Sequence, residues 1–318
     1  MSRILNGLIL VDKSRGPTSH DVVNIVRRQL QFRRVGHLGT LDPPATGLLV
    51  LCLGQATRLV EFMGHFDKEY EAVVRLGVVT DTQDTTGKTL REATPTAPTR
   101  AQLEEIRKRF TGEIEQLPPM YSAVKVGGRR LYEIAREGRT VERQMRKVTV
   151  HSIEIVGVTM PRMKLRVRCS KGTYIRALCA DIGDLLGCGG ALEALRRMSV
   201  GPFRVEDASA VEHVTLERIA SLLRPMDAGL ANLPVALVRA RSVGRVFTGA
   251  PLLAADLDGR EGLSPTGFVR VMGPGGQLLA IGEMAKETNG ALNGHTPIIH
   301  MRKVLAALSA PVAKAPVK

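Results

Sequence analysis

Apolar side chains recur along the chain in two rhythms, and the changes between them outline its elements. Residues 18–30 carry Val22, Val23, Ile25, Val26 and Leu30 at helical spacing behind Thr18 or Ser19, which predicts a capped amphipathic helix. A second helix is predicted where Thr99 and Gln102 form a capping-box pattern ahead of Leu103, Ile106 and Phe110. A third follows from Ile175, Leu178, Ile182, Leu185 and Leu186, with Gly187 as its stop. Between Gly47 and Gly54 the run is continuously apolar, of strand or buried-helix type, and residues 70–79 are aromatic and β-branched as in strands. Leu165, Val167 and Cys169 alternate with cations, which predicts a strand with one apolar and one positive face. After about Val235 come short β-prone pieces separated by glycine and proline, so a small β-rich domain is expected. Residues 306–318 have no periodicity and read as a flexible tail.

Charge adds a partner class. Lys and Arg number 45 against 31 Asp and Glu, a net charge of +14 over 318 residues, with 44% hydrophobic residues. Such a chain buries a core and faces an anion, with nucleic acid the first candidate. Equally basic proteins simply coat ribosomes, so charge alone names no reaction. The longest apolar run noted in the first hundred residues, Leu48 to Leu53, is far too short for a membrane span. The stretch Ile4 to Val11 is broken by Asn6 and followed by Asp12 and Lys13, which argues against a secretory leader and for a cytoplasmic protein. Cys52, Cys169, Cys179 and Cys188 form no CxxC pair, so reduced structural thiols are expected in place of a zinc or redox site.

Residues 118–147 are basic and glycine-containing, with Lys125, Arg129 and Arg130 near their centre, and they read as a protruding arm. Upstream, Gly36-His-Leu-Gly-Thr-Leu-Asp42-Pro-Pro-Ala-Thr-Gly47 sets one carboxylate among glycines and prolines directly before the apolar run. Asp before Pro is ordinarily turn chemistry, so local pattern alone leaves catalysis and a simple turn both open.

Taken whole, however, that segment resembles the signature of the TruB family of bacterial tRNA pseudouridine synthases. The resemblance continues through Lys68-Glu-Tyr70, Thr80-Asp-Thr-Gln-Asp84, Pro118 to Lys125, Gly128 to Gly138, Cys169 to Arg176 and Leu195-Arg-Arg197, and reaches Phe268 and Glu283 more loosely. Ser14, Leu38 and Pro44 depart from the family pattern. The resemblance implies an α+β pseudouridine synthase fold with a mixed, largely antiparallel sheet in residues 1–235, and a PUA-like RNA-binding domain in 236–305. It implies isomerisation of the uridine at position 55, in the T-loop of tRNA, without cofactor or metal: the uracil leaves ribose C1′, turns and rejoins through C5.

By the same resemblance Asp42 is the essential carboxylate, as nucleophile or base. Arg176 is the cation that keeps it ionised, and Tyr70 stacks on the flipped base. His37 fills the space the base vacates, Tyr174 and Leu195 wall the pocket, and Lys125, Arg129 and Arg130 grip the T-stem-loop. A monomer with no obligatory protein partner and no membrane contact is expected. Two other classes share parts of this pattern: a non-catalytic RNA-binding protein, and a guide-dependent synthase of the dyskerin type. The arm favours the stand-alone enzyme.

Overall fold

The computed structural model describes residues 5–258, 262–264, 266–285 and 297–305; the expected tail at 306–318 lies outside the described residues. The chain forms two compact units. The larger comprises Ile9–Leu51 and Gly64–Leu222, and the smaller Met1–Leu8, Cys52–Met63 and Leu223–Lys318.

A ten-stranded sheet organises the larger unit, in the order Ser209–Ala210, Gly7–Lys13, Thr46–Leu53, Gly190–Val200, Lys68–Leu76, Arg162–Cys169, Arg146–Thr159 and Gly112–Gln116, with two short side strands. Thr46–Leu53 runs parallel to Gly190–Val200, while the pairings from there to Gly112–Gln116 are antiparallel. The expectation of a mixed, largely antiparallel sheet is met.

Alternation sets the core. Tyr70, Ala72, Val74 and Leu76 share one buried face with Met163, Leu165, Val167 and Cys169. Ile106 and Phe110 of helix Arg100–Phe110 join this cluster, as do Ile175, Leu178, Cys179 and Ile182 of helix Ile175–Leu185. Helix Ser19–Gln29 is capped by Thr18, whose hydroxyl accepts from the Asp21 amide at 3.0 Å while Asp21 accepts from the Thr18 amide at 2.9 Å. Thr99 and Gln102 repeat the device at the start of Arg100–Phe110. All four cysteines are free, and burial pushes the Cys52 thiol up to about 12 and the Cys169 thiol up to about 11.

On the other face of the strand Arg162–Cys169, the structure corrects the expectation of a positive surface. Arg162 pairs with Glu193 at 2.8 Å, Lys164 with Glu71 at 3.4 Å, Arg166 with Glu71 and Glu154 at 3.3 and 3.2 Å, and Arg168 with Asp67 at 3.7 Å. Glu71 and Glu154 come from the two adjacent strands, Glu193 from the next strand over and Asp67 from just before Lys68–Leu76, so the cations are neutralised where they stand.

The smaller unit has a five-stranded sheet in the order Val235–Leu237, Phe268–Met272, Leu278–Met284, Pro297–Val304 and Leu252–Leu253. Val238, Val246, Val269, Val271, Ile299 and their neighbours form its core. Phe62 packs edge-on against Phe268 with ring centroids 5.1 Å apart, and Glu61 pairs with Lys303 at 2.7 Å.

Candidate active site

Asp42 sits in the loop between the short strand Val35–His37 and the strand Thr46–Leu53. Its carboxylate Oδ2 meets Arg176 Nε at 2.9 Å. The two partners differ sharply in exposure: the Arg176 side chain is 6% exposed and the Asp42 side chain 41%. Arg176 spends its remaining donors on main chain, Nη1 to the Thr82 carbonyl at 2.9 Å and Nη2 to the Tyr121 carbonyl at 2.8 Å. A fixed cation therefore stands behind the carboxylate, and a guanidinium held at three points cannot swing away with it. Among the described residues Asp42 Oδ1 has no hydrogen-bond donor, which leaves one oxygen anchored and the other without a partner.

The loop owes its shape to side chains that bond its backbone. Ser19 accepts from the Leu41 amide at 2.8 Å and donates to the Leu41 carbonyl at 3.0 Å. Lys13, fully buried, donates from Nζ to Pro43, Ala45 and its neighbour Ser14 at 3.2, 2.6 and 3.0 Å. Burial, the largest cause, lowers the Lys13 pKa to about 8 against an opposing pull from Asp42. Gly47 has φ +99°, and a Cβ there would lie 2.4 Å from the Arg197 carbonyl oxygen. Only glycine lets the loop leave against the strand Gly190–Val200 at that point.

Tyr70 lies in the strand Lys68–Leu76, directly opposite Arg197. It is almost wholly buried; burial pushes its phenol up, and the positive charge of Arg197 pushes the other way. Leu195, two positions before Arg197, is half-buried opposite Ala72. Tyr174 caps helix Ile175–Leu185 immediately before Arg176, and its backbone is clamped by buried Gln116, which accepts from the Tyr174 amide at 3.0 Å and donates to its carbonyl at 3.3 Å. His37 closes the strand Val35–His37; its Nδ1 is buried without a partner, and burial, followed by the charge of Arg197, lowers its pKa.

Of the residues picked out in the sequence, Asp42 and Arg176 are brought into contact, with Tyr174 beside Arg176 in the chain. Lys125, Arg129 and Arg130 stand apart, on a two-stranded ribbon of Lys125–Val126 and Arg129–Arg130 that turns at Gly127 and Gly128, both at positive φ. Arg129 is paired with Glu137, and Arg130 donates to the Tyr132 hydroxyl at 2.9 Å. The base of the arm reaches the site through the Tyr121 carbonyl on Arg176. Sequence reasoning missed Lys13, Ser19, Gln116 and the role of Arg197. Lys13 left one signal, a cation closing a strand that opens with an apolar run; Arg197 left only its place in the Leu195-Arg-Arg197 stretch of the family resemblance. No group of three or more potential metal ligands occurs among the described residues.

Two family models match the chain: the N-terminal domain of TruB family pseudouridylate synthase over residues 27–175, and the C-terminal domain of tRNA pseudouridylate synthase B over 176–231. A tRNA pseudouridine synthase B of Aromatoleum aromaticum is 45% identical over 92% of each chain. One from Stutzerimonas stutzeri is 40% identical over 90% of this chain and 93% of its own. Among solved structures, a Cbf5-Nop10-Gar1 complex gives a TM-score of 0.72 at 28% identity, over 95% of this chain and 85% of that one. An H/ACA RNP bound to a substrate RNA containing 2'-deoxyuridine gives 0.70 at 25% identity, with the same coverage.

Proposed function

This chain belongs to the TruB family of tRNA pseudouridine synthases, isomerases that convert uridine to pseudouridine, and from that premise we propose that it modifies the uridine at position 55 in the T-loop, with Asp42 as the reacting carboxylate. The observation that carries the assignment is the asymmetric anchoring of Asp42, one oxygen on a buried arginine and the other open. A carboxylate so held stays aimed while ribose C1′ loses its base, either as nucleophile or as base at the sugar.

The other residues divide the remaining work. Extruding a stacked base costs a few kcal/mol, and an aromatic platform returns about 1–3 kcal/mol, the role we give Tyr70. With its pKa lowered by burial, His37 enters the vacated space as a neutral ring. Tyr174 and Leu195 wall the pocket. Lys125, Arg129 and Arg130, on the arm near 118–147, hold the T-stem-loop by its phosphates, and residues 236–305 act as a PUA-like module for the rest of the tRNA. The enzyme works as a monomer in the cytoplasm, without a guide RNA or a protein partner. Identity of 40–45% to tRNA pseudouridine synthase B relatives, against 25–28% to the Cbf5 and H/ACA structures, supports that choice. Among the described residues no helix is long and apolar enough to cross a membrane.

The test is an unmodified tRNA transcript incubated with purified protein, with pseudouridine mapped by a reagent that marks it. Wild type should mark the T-loop uridine, and Asp42→Asn should abolish turnover while tRNA binding weakens less than tenfold, since phosphate contacts dominate the interface. Turnover of Asp42→Asn within threefold of wild type overturns the assignment of Asp42. Modification only outside the T-loop overturns the substrate assignment.

A further inference from the structure

Arg197 is a wholly buried arginine in the strand Gly190–Val200, and no ion pair among the described residues includes it. Its donors go instead to uncharged oxygen. Nε bonds the Leu48 carbonyl at 2.7 Å, Nη1 the Thr40 carbonyl at 3.1 Å and Nη2 the Gly39 carbonyl at 3.2 Å. Gly39 and Thr40 precede Asp42 and Leu48 follows it, so one planar group holds both limbs of the loop. The register repeats the arrangement, with Arg197 opposite Gly47 on one side and Tyr70 on the other.

Stability alone does not account for this. A buried cation without a carboxylate is costly, and an apolar side chain would fill the same space at lower cost. Its charge also burdens its surroundings, contributing to the lowered pKa values of His37, Lys13 and Lys68. What the guanidinium supplies, and an apolar side chain cannot, is a rigid fork of donors that reaches three carbonyls together.

We propose that Arg197 is a positioning residue that ties the Asp42 loop to the strand paired with that of Tyr70, holding carboxylate and ring in one fixed relation while the uracil detaches and turns. It touches no reacting atom. Its effect therefore falls on the chemical step more than on tRNA binding. This inference rests on the assignment of Asp42 and Tyr70 above. A lysine keeps the charge but not the fork, so Arg197→Lys removes positioning while changing the local field least.

In single-turnover assays on the tRNA transcript, folded Arg197→Lys should lose about 100-fold in the rate at saturation, the scale of a displacement near 1 Å, with half-saturation changed less than threefold. The loss on Tyr70→Phe should also shrink when it is made in the Arg197→Lys background, because ring and loop are then no longer held in one relation. A saturated rate within threefold of wild type, or strictly additive losses, overturns the proposal.

Should Arg197→Lys fail to fold, the same link is read from the opposite end. Tyr70→Phe should shift the buried Arg197 guanidinium NMR signals and speed their solvent exchange at least tenfold, while those of Arg176 stay in place. Unchanged Arg197 signals overturn the proposal. Asp42→Asn assayed alongside separates the two failures: if it turns over, the catalytic assignment is wrong, and if it is dead while Arg197→Lys is normal, only the positioning role is.

Discussion

Two sets of cations in the larger unit differ in what they bond. On the strand Arg162–Cys169, Arg162, Lys164, Arg166 and Arg168 are largely exposed and each meets a carboxylate. Around the Asp42 loop, Lys13 and Arg197 are wholly buried and bond carbonyl oxygens. In the first set charge cancels charge in water, at a gain of about 0–1 kcal/mol per pair. In the second a full charge is kept out of water for the sake of where its donors point. A cation that gives up its solvent for neutral acceptors marks a backbone whose shape matters, and here that backbone carries Asp42.

The strongest way to break this contrast is at Lys13. Lys13→Met leaves the Pro43 and Ala45 carbonyls without their donor, which should destabilise the fold by about 1–3 kcal/mol and cut turnover more than tenfold. Stability against pH sharpens the test. Lys13 titrates at about 8 in the folded protein and at 10.5 as a free side chain. Between those values the unfolded chain holds one more proton than the folded one, so this group makes wild type more stable as pH rises, by at most about 1.4 kcal/mol per pH unit. Denaturant unfolding from pH 7 to 10 should show the gap between wild type and Lys13→Met widening above pH 8; Lys68, also lowered to about 8, is common to both proteins and cancels. A gap that stays constant means Lys13 is not a buried charge.

How far the sequence disclosed all this follows from the range of each interaction. The helices Ser19–Gln29 and Arg100–Phe110 were legible to within a residue or so because their capping bonds join residues three apart. The alternation at Leu165, Val167 and Cys169 placed a strand correctly, yet the character of its outer face was hidden, since Arg166 meets Glu71 from 95 positions away. The strand Gly190–Val200 escaped detection altogether. Its Leu-Glu-Ala-Leu-Arg-Arg stretch favours helix, two register shifts break its alternation, and it buries Arg197 and Ser199 where a pattern expects apolar residues. Asp42 was found through a family motif, whereas the residues that hold it, Lys13, Ser19 and Arg197, are joined to it by bonds that no local pattern encodes.

The arm offers an intermediate case, because its cations are exposed but unevenly paired. Lys125 has no ion-pair partner among the described residues, whereas Arg129 and Arg139 share Glu137. Replacing Lys125, Arg129 and Arg130 together by alanine should weaken tRNA binding and flatten its salt dependence by about 0.9 in log-log slope per lost duplex contact, or about 0.7 per single-stranded one. Glu137→Gln should act with the opposite sign, tightening binding a few-fold at low salt by freeing two arginines. If both variants leave the salt slope unchanged, the arm is solvated surface like the outer face of the sheet.

The smallest effect is expected on that outer face. Arg166 bonds Glu71 and Glu154 at 3.3 and 3.2 Å in a setting open to water, so Arg166→Ala should move stability by no more than about 0.5 kcal/mol. Removal of one cation leaves Glu71 still paired with Lys164 at 3.4 Å, which limits the loss further. Since the charge of Arg166 is already cancelled, tRNA affinity should fall less than twofold and the salt slope should not move. A drop in the slope near 0.9 would mean that RNA displaces Glu71 and Glu154 from Arg166. The face would then belong with the arm, and pairing with carboxylates would no longer separate idle cations from working ones.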